Sequence, residues 1–76
     1  MEENDDNALS QQYGGSHYKD MAIQPMEFSE ANNLSAGQHT AIKYICRHEN
    51  KHGVDDLRKA IHSVRLLAWL HYGEKI

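Results

Sequence analysis

Residues 54–73 read VDDLRKAIHSVRLLAWLHYG, and this stretch decides the fold. Asp55 and Asp56 fall near its start, where the dipole of a helix favours acids, and Gly73 is a typical C-terminal stop. Between them, apolar residues recur at the three- and four-residue spacing of an amphipathic helix. These residues are Leu57, Ala60, Ile61, Val64, Leu67 and Ala68. The stretch therefore predicts one long helix that begins near Val54.

Two shorter helices are predicted before it. Pro25 suits the first turn of a helix over about residues 25–33, which offers Met26 and Phe28 to a core. Ser35 and Gln38 form the spacing of a capping box, so a second helix begins there and ends near residues 49–50. Its apolar face is expected to be buried: Ala36, Ala41, Ile42, Ile45 and Cys46. The fold class is all-α, a small three-helix domain with an extended N-terminal segment.

The length and the charge distribution bound the domain organisation. The 76 residues allow one domain, which we place at residues 13–76, after a disordered acidic tail over residues 1–12. Four of the eleven acids lie in the first six residues, so seven acids face eight Lys and Arg in the rest. This net charge of +1 is too weak for general nucleic-acid affinity, which needs many phosphate contacts.

The cysteine count and the hydropathy indicate the compartment. Cys46 is the single cysteine, so a disulfide within the chain is excluded, and a lone thiol fits a reducing compartment. The chain lacks an apolar run of about 18 residues, the length that spans a bilayer. We expect a cytoplasmic protein with no membrane partner.

Leu66, Trp69 and Leu70 extend the apolar arc of the long helix beyond what a domain of this size easily covers. We interpret this patch as the contact of a homo-oligomer. The alternative is that the first helix and the N-terminal segment fold over it.

Polar groups suited to a phosphate ligand cluster on the second helix. Lys43 and Arg47 are four residues apart and share one face with Thr40 and Tyr44, and His48 follows. Arginine can grip phosphate oxygens as a fork, lysine acts as a point charge, and a tyrosine ring can contact a base or a sugar. The alternative is a solvated basic face paired with acids such as Glu49.

A glycine turn near the N-terminus offers a second set of such groups: Gly14, Gly15, Ser16, His17, Tyr18 and Lys19. Paired glycines let successive backbone N–H groups face an anion, and histidine can bind phosphate or transfer a proton near neutral pH. The alternative is an ordinary turn leading into a packed tyrosine. The sequence contains neither G-x-x-x-x-G-K-[ST] nor G-x-G-x-x-G.

Metal sites have weaker support. Asp55 and Asp56 could hold Mg²⁺, although acids at a helix start need no such role, and Asp56 is also spaced for an ion pair with Lys59. His48 and His52 lie four apart with Cys46 nearby, but no C-x-x-C or H-E-x-x-H pattern accompanies them, so zinc is not expected. Cys46 is expected to be a buried, inert thiol.

Several of these runs, taken in order, resemble a family of small bacteriophage proteins that is often labelled a domain of unknown function. They are GSHYK at 15–19, IQP at 23–25, AIKYI-x-RH at 41–48 and K-x-G-x-x-DL-x-KA at 51–60. One member, from a lytic podophage of enteric bacteria, is described as an early-gene nucleotide kinase acting on deoxynucleoside monophosphates. The resemblance covers about residues 13–70. It implies a small helical protein that lacks the usual kinase motifs and assembles from several subunits.

The resemblance also implies site residues. By position these are His17, Tyr18, Lys19, Lys43, Tyr44, Arg47 and Asp56. The chain departs from the family at His39 and Thr40, where Gly-Asn is frequent. Asparagine has both a donor and an acceptor, whereas threonine has only a hydroxyl, so recognition of the base or sugar can differ.

The resulting expectation is a phage nucleotide-binding protein, a nucleoside monophosphate kinase that works in the cytoplasm of the infected bacterial host. ATP or another nucleoside triphosphate is the expected donor, with Mg²⁺ as the candidate cofactor. His17, Lys43 and Arg47 are the expected catalytic groups, and the site is expected at a subunit boundary. The alternative is a non-catalytic protein that sequesters a nucleotide or binds a host protein.

Overall fold

The computed structural model describes Tyr18 and residues 20–76. It contains three α-helices, α1 (Pro25–Ala31), α2 (Ala36–Arg47) and α3 (Val54–Tyr72), and one 3₁₀ turn, His48–Asn50. The all-α class and the three predicted helices are confirmed, and no strand occurs among the described residues. The acidic tail and the glycine turn at 14–17 lie outside the described residues, as does Lys19.

The helix ends follow the local signals in the sequence. The Ser35 Oγ accepts from the Gln38 N–H at 3.2 Å, and the Gln38 Oε1 accepts from the Ser35 N–H at 2.8 Å. This reciprocal pair is the predicted capping box. At the end of α3, Gly73 adopts φ 68° and its N–H donates to the Trp69 carbonyl at 2.9 Å, which confirms the predicted stop.

Helix α1 is shorter than predicted and buries different residues. It ends at Ala31 rather than near residue 33. Met26 and Phe28, expected in the core, are 57% and 44% exposed, whereas Pro25 and Ser29 are buried. Pro25 and Ser29 are four residues apart and therefore share one face, so α1 turns this face inward.

Helices α2 and α3 pack as a close hairpin through small side chains. Ala41 and Ala60 are the hydrophobic residues buried among those described, and Ser63 is buried beside them. A Cβ at Gly37 would lie 2.6 Å from the Leu67 Cδ2, so the leucine methyl occupies the space that a side chain at 37 would need. Small residues bring the two helices together but remove little apolar surface from water.

The apolar faces predicted to be buried are only partly covered. On α2, Ala41 is buried and Cys46 is half-buried, but Ile45 is 52% exposed. On α3, Ile61 and Val64 are 50% and 42% exposed. The apolar faces follow the predicted periodicity, but the described residues of one chain leave Ile45, Ile61 and Val64 largely uncovered.

Tight turns join α2 to α3 and precede α1. Gly53 adopts φ 58°, which glycine tolerates without steric cost, and its N–H donates to the His48 carbonyl at 2.8 Å. Before α1, the Met21 N–H donates to the Tyr18 carbonyl at 3.1 Å, and a bend follows at 22–23. The described part of the predicted extended segment is therefore a turn.

Across the described residues, none of the helices combines the length and the apolar character needed to cross a lipid bilayer.

Candidate anion-binding site

Three cations surround the ring of Tyr44. The Lys43 Nζ lies 4.8 Å from the ring centroid, the Arg47 Cζ 4.7 Å and the Lys59 Nζ 5.6 Å. Lys43, Tyr44 and Arg47 come from α2, and Lys59 comes from α3. Cations within about 6 Å of an aromatic ring are attracted by its quadrupole. We call these four residues the Tyr44 cluster.

One carboxylate balances part of this charge. Asp56 is fully buried, and its Oδ2 and Oδ1 accept from the Arg47 Nε and Nη2, each at 3.2 Å. The Asp56 Oδ2 also accepts from the His52 N–H at 3.2 Å. The Arg47 side chain is 13% exposed, so this two-point ion pair lies inside the hairpin. It joins the end of α2 to the start of α3 around the intervening turn.

The pair sets the protonation of its members. Burial by itself raises the pKa of Asp56, but the hydrogen bonds from Arg47 and His52 and the charge of Arg47 outweigh it and leave the pKa below its ordinary value. Burial lowers the pKa of Arg47, while Asp56 and Tyr18 together raise it above its ordinary value. Both groups therefore stay charged near neutral pH.

Tyr18, from the segment that precedes α1, lies next to the Arg47–Asp56 pair. Its half-buried side chain interacts with Arg47. Burial raises the pKa of Tyr18, and the neighbouring Arg47 offsets only part of that rise. The phenol therefore stays neutral near pH 7, and Tyr18, predicted as a ligand-binding residue, lies at the Arg47 end of the Tyr44 cluster.

Lys43 and Lys59 remain without an acid partner in the part of the chain that the structure describes. The ion pairs found there are Arg47 with Asp56 and Arg58 with Asp55. The Tyr44 cluster and Asp56 thus carry three positive charges against one negative charge, an excess of two. An excess of this sign beside an aromatic ring suits an anionic ligand.

Sequence reasoning placed some of these groups correctly and missed others. Lys43, Tyr44 and Arg47 do gather in one place, but Arg47 turns inward to Asp56 rather than lying on an open face. The spacing that suggested an Asp56–Lys59 pair was misleading, since Asp56 bonds Arg47 and Lys59 faces Tyr44. Lys59 was missed as a site residue. Lys59 follows Asp56 by three residues, and so lies on the side of α3 that faces α2. This spacing is the signal in the sequence that indicates Lys59 as a site residue.

The other predicted site residues lie elsewhere along α2 and the 3₁₀ turn, or fall outside the described part. Thr40 is half-buried on α2, and His48 begins the 3₁₀ turn. The predicted phosphate-binding groups of the N-terminal turn, and the catalytic His17 with them, lie outside the described residues: Gly14, Gly15, Ser16, His17 and Lys19. Their part in the site stays a prediction.

The two acids predicted to hold Mg²⁺ are held by different arginines. Asp56 is occupied by Arg47, and the Asp55 Oδ1 accepts from the Arg58 Nη1 at 2.7 Å on the surface. Among residues 20–76 and Tyr18, no three His, Cys, Asp or Glu side chains gather within reach of one metal ion. A Mg²⁺ ion at these two acids would have to displace the buried Arg47 contact.

His39, one of the two positions where the chain departs from the pattern it was compared with above, has a structural partner. Its Nδ1 lies 2.7 Å from the Oγ of the buried Ser29. This bond ties α1 to α2. Cys46, on the same side of α2, is half-buried, and burial raises the pKa of its thiol.

A protein family described as of unknown function (DUF3310) matches residues 12–64, which is more than half of the chain. The chain belongs to this family. No curated protein and no solved structure shows a significant match to it. The DUF3310 match spans α1, α2 and α3 as far as Val64, and so contains every residue of the Tyr44 cluster together with Asp56.

Proposed function

We propose that the chain binds the phosphate of a nucleotide at the Tyr44 cluster. The observation that supports this most directly is the pair of lysines, Lys43 from α2 and Lys59 from α3, whose ammonium groups flank one tyrosine ring. Neither has a carboxylate partner in the described part of the chain. An anion bound between them would supply the missing countercharge.

The charge balance fits a phosphate ester. A phosphate monoester carries about −1.5 to −2 charges near pH 7, which matches the excess of two positive charges at the cluster. Lysine binds phosphate as a point charge with three rotatable donors. The hydrogen bonds that Arg47 donates to Asp56 hold its guanidinium, so Arg47 contributes a fixed charge at close range rather than a free fork.

The ring of Tyr44 and the resemblance to the phage family favour a nucleotide over inorganic phosphate. An aromatic side chain beside the phosphate subsite can contact a base or a sugar. The resemblance to a nucleotide kinase covers Lys43, Tyr44 and Arg47, and it points to a deoxynucleoside monophosphate such as thymidylate or deoxyguanylate. On the same ground the protein works in the cytoplasm of an infected bacterium.

The more specific proposal is transfer of a phosphoryl group from a nucleoside triphosphate to that monophosphate. Phosphoryl transfer depends on positioning and charge neutralisation more than on covalent chemistry by the protein. Fixed cations on two packed helices supply both. His17 and the glycine turn, which precede Tyr18 in the sequence, are the further groups in this proposal.

A second copy of the chain completes the site in this proposal, because one helical hairpin offers too little concave surface for two nucleotides. Lys59, Leu66 and Leu70 lie on one side of α3, since positions seven and eleven residues apart nearly coincide around a helix. Association through Leu66, Trp69 and Leu70, which are 46%, 57% and 75% exposed, would bring a partner beside Lys59.

The rival proposal is a non-catalytic protein that sequesters a nucleotide. One observation favours it: the Asp56 carboxylate, one of the two acids predicted to hold Mg²⁺, is buried against Arg47. A binding protein needs the two lysines and the ring but no metal at this position. Binding and turnover must therefore be measured separately.

Titration calorimetry with thymidylate, deoxyguanylate and inorganic phosphate tests the binding proposal. We expect Lys43→Ala and Lys59→Ala each to weaken nucleotide binding about tenfold or more, because each removes a charge-assisted bond. Lys75→Ala is the matched control; it removes the same charge at an exposed position beyond α3 and should bind as the wild type does. Equal affinities for all four proteins would show the proposal to be wrong.

Incubation with ATP, Mg²⁺ and each deoxynucleoside monophosphate tests the transfer step. A kinase gives the corresponding diphosphate, and Lys43→Ala loses that product in parallel with its affinity. Binding without any diphosphate, at protein concentrations well above the dissociation constant, would support sequestration and reject the kinase.

A further inference from the structure

Helix α3 carries a second apolar seam that the described residues of its own chain leave open. Val54, Leu57, Ile61, Val64 and Ala68 alternate three- and four-residue steps, which is the spacing of the core positions in a coiled coil. Val54, Ile61 and Val64 are 57%, 50% and 42% exposed, and Leu57 and Ala68 are half-buried. We call these five residues the outer seam.

The outer seam is distinct from the face that α3 turns to α2. That inner face consists of Asp56, Ala60, Ser63 and Leu67, which repeat with the same steps. Leu57, Ile61, Val64 and Ala68 each directly follow an inner residue, and so lie about 100° around the helix in the same sense. Val54 lies seven residues before Ile61 and shares its side. Apart from Leu67, the inner face consists of small or polar side chains, and α2 packs closely against it. The outer seam consists of apolar, mainly β-branched side chains, which need a second helix to cover them.

A groove runs along the outer seam. Ile45 of α2 and Ile76 form its walls with Leu57, Ile61 and Val64, and the groove encloses about 520 Å³. Ile45 and Ile76 are 52% and 65% exposed. Arg65, at the edge, is the one charged residue among those that line it. A groove of this composition suits an apolar helix rather than a charged or polar ligand.

We propose that this groove is an interface between two copies of the chain, in which α3 of each copy packs along the outer seam of the other. The same seam recurs on every copy, and seams with alternating three- and four-residue steps can pack against one another, as a twofold contact requires. Two α2–α3 hairpins joined in this way make a four-helix arrangement of the kind that coiled-coil spacing favours.

The size of the surface fits a dimer. Helix α3 is about 29 Å long and α2 about 18 Å, each about 10 Å wide, so together they present roughly 470 Å² in flat projection. The accessible area of a corrugated side-chain surface exceeds its projection, and a stable interface buries about 800 Å² per partner. The two quantities are of the same order.

The shortage of core in one chain gives the contact its driving force. Ala41 and Ala60 are the buried hydrophobic residues of the described part, whereas twelve large hydrophobic residues there are at least 42% exposed. Small domains that cannot bury enough apolar surface commonly associate. A second copy on the outer seam would cover Ile45, Ile61 and Val64 together.

This interface is separate from the nucleotide proposal and from the Leu66, Trp69 and Leu70 patch. Lys59 lies two residues from Leu57 and from Ile61, about 200° around α3, so the Tyr44 cluster stays open in the dimer. Leu66 and Leu70 lie on the Lys59 side. The outer seam and this patch therefore face nearly opposite directions, and substitutions can address one without the other.

The test measures the mass of the full chain by sedimentation equilibrium in a background that removes the competing patch. We expect Leu70→Glu alone to remain a particle of two chains, and Leu70→Glu combined with Ile61→Glu to sediment as one chain. A single-chain mass for Leu70→Glu alone would overturn the proposal, and so would a two-chain mass for the double variant.

Two further variants cover the case in which the glutamate at 61 prevents folding, which circular dichroism would reveal. Ile61→Ala and Val64→Ala, in the Leu70→Glu background, keep good helix-forming residues and only shorten the side chain. Each is expected to raise the dimer dissociation constant about tenfold or more, as truncation at the centre of an interface does. An unchanged dissociation constant in both would overturn the proposal.

Discussion

The guanidinium of Arg47 and the carboxylate of Asp56 meet at two points, Nε to Oδ2 and Nη2 to Oδ1, each 3.2 Å long. Arg47 closes α2 and Asp56 lies in the first turn of α3, so one side-chain pair spans the turn between them. The pair also determines which cations of the Tyr44 cluster stay available, because it occupies Arg47 and leaves Lys43 and Lys59.

Replacing Asp56 should destabilise the fold far more than replacing its neighbour. Asp56→Asn leaves a buried guanidinium without its countercharge, and we expect the midpoint of thermal unfolding to fall by about 10 °C. Asp55→Asn is the matched control, because its partner Arg58 and its own side chain are 69% and 67% exposed. Exposed pairs contribute little, so the control should stay close to the wild type. Similar midpoints for both variants would contradict a structural role for the buried pair.

The contribution of this pair should disappear in acid. Because the pKa of Asp56 in the folded chain lies below its ordinary value of 3.8, the stabilisation is complete above that value. It is lost as the pH falls through the folded pKa. The difference in unfolding midpoint between wild type and Asp56→Asn should therefore be constant from about pH 5 to 7 and shrink below about pH 4. Scans at half-unit steps measure it; a gap that stays constant down to pH 2 would rule out the ion pair as its source.

The close contact at Gly37 predicts a coupled pair of substitutions. Gly37→Ala gains about 1 kcal/mol of helix propensity but forces the Leu67 methyl to move, which costs about 1–3 kcal/mol. The net effect in the wild type should be neutral to destabilising. In a Leu67→Ala background the collision is absent, so the same substitution should stabilise by about 1 kcal/mol. A double-mutant cycle of urea unfolding gives the coupling energy, and a value near zero would mean that the helices do not approach as described.

Cys46 should react slowly while the chain is folded. Burial raises the pKa of its thiol, so less of the reactive thiolate is present, and the half-buried position restricts access. Alkylation by iodoacetamide at pH 8 should be several-fold slower in buffer than in denaturant, with Cys46→Ser as the unreactive control. Equal rates under both conditions would contradict a covered thiol.

Features set by contacts within a few residues were predictable from the sequence, whereas features set by packing partners were not. The capping box at Ser35 and Gln38, and the stop at Gly73, act through contacts within four residues, and both are confirmed. Which face of a helix becomes buried depends on what packs there. For that reason the periodicity of α2 and α3 gave an apolar arc but could not show that Ile45 and Ile61 remain exposed.

The same division applies to the candidate site: its local spacing was predictable and its contacts between helices were not. The spacing of Lys43, Tyr44 and Arg47 on one helix is local and was recognised. The bond from Arg47 to Asp56 joins residues nine apart across a turn, and the approach of Lys59 to Tyr44 depends on how α2 and α3 pack. Neither follows from helical spacing alone.

The smooth contact between α2 and α3 has a consequence for how the hairpin keeps its alignment. Alanine and serine side chains interlock weakly, so they do not by themselves resist sliding of one helix along the other. Two contacts fix the position of α3 along α2: the Arg47–Asp56 pair at one end, and the Leu67 methyl packed against Gly37 toward the other. With both removed, α3 would be free to shift by a turn of helix, which would carry Lys59 away from Tyr44 while leaving every helix intact.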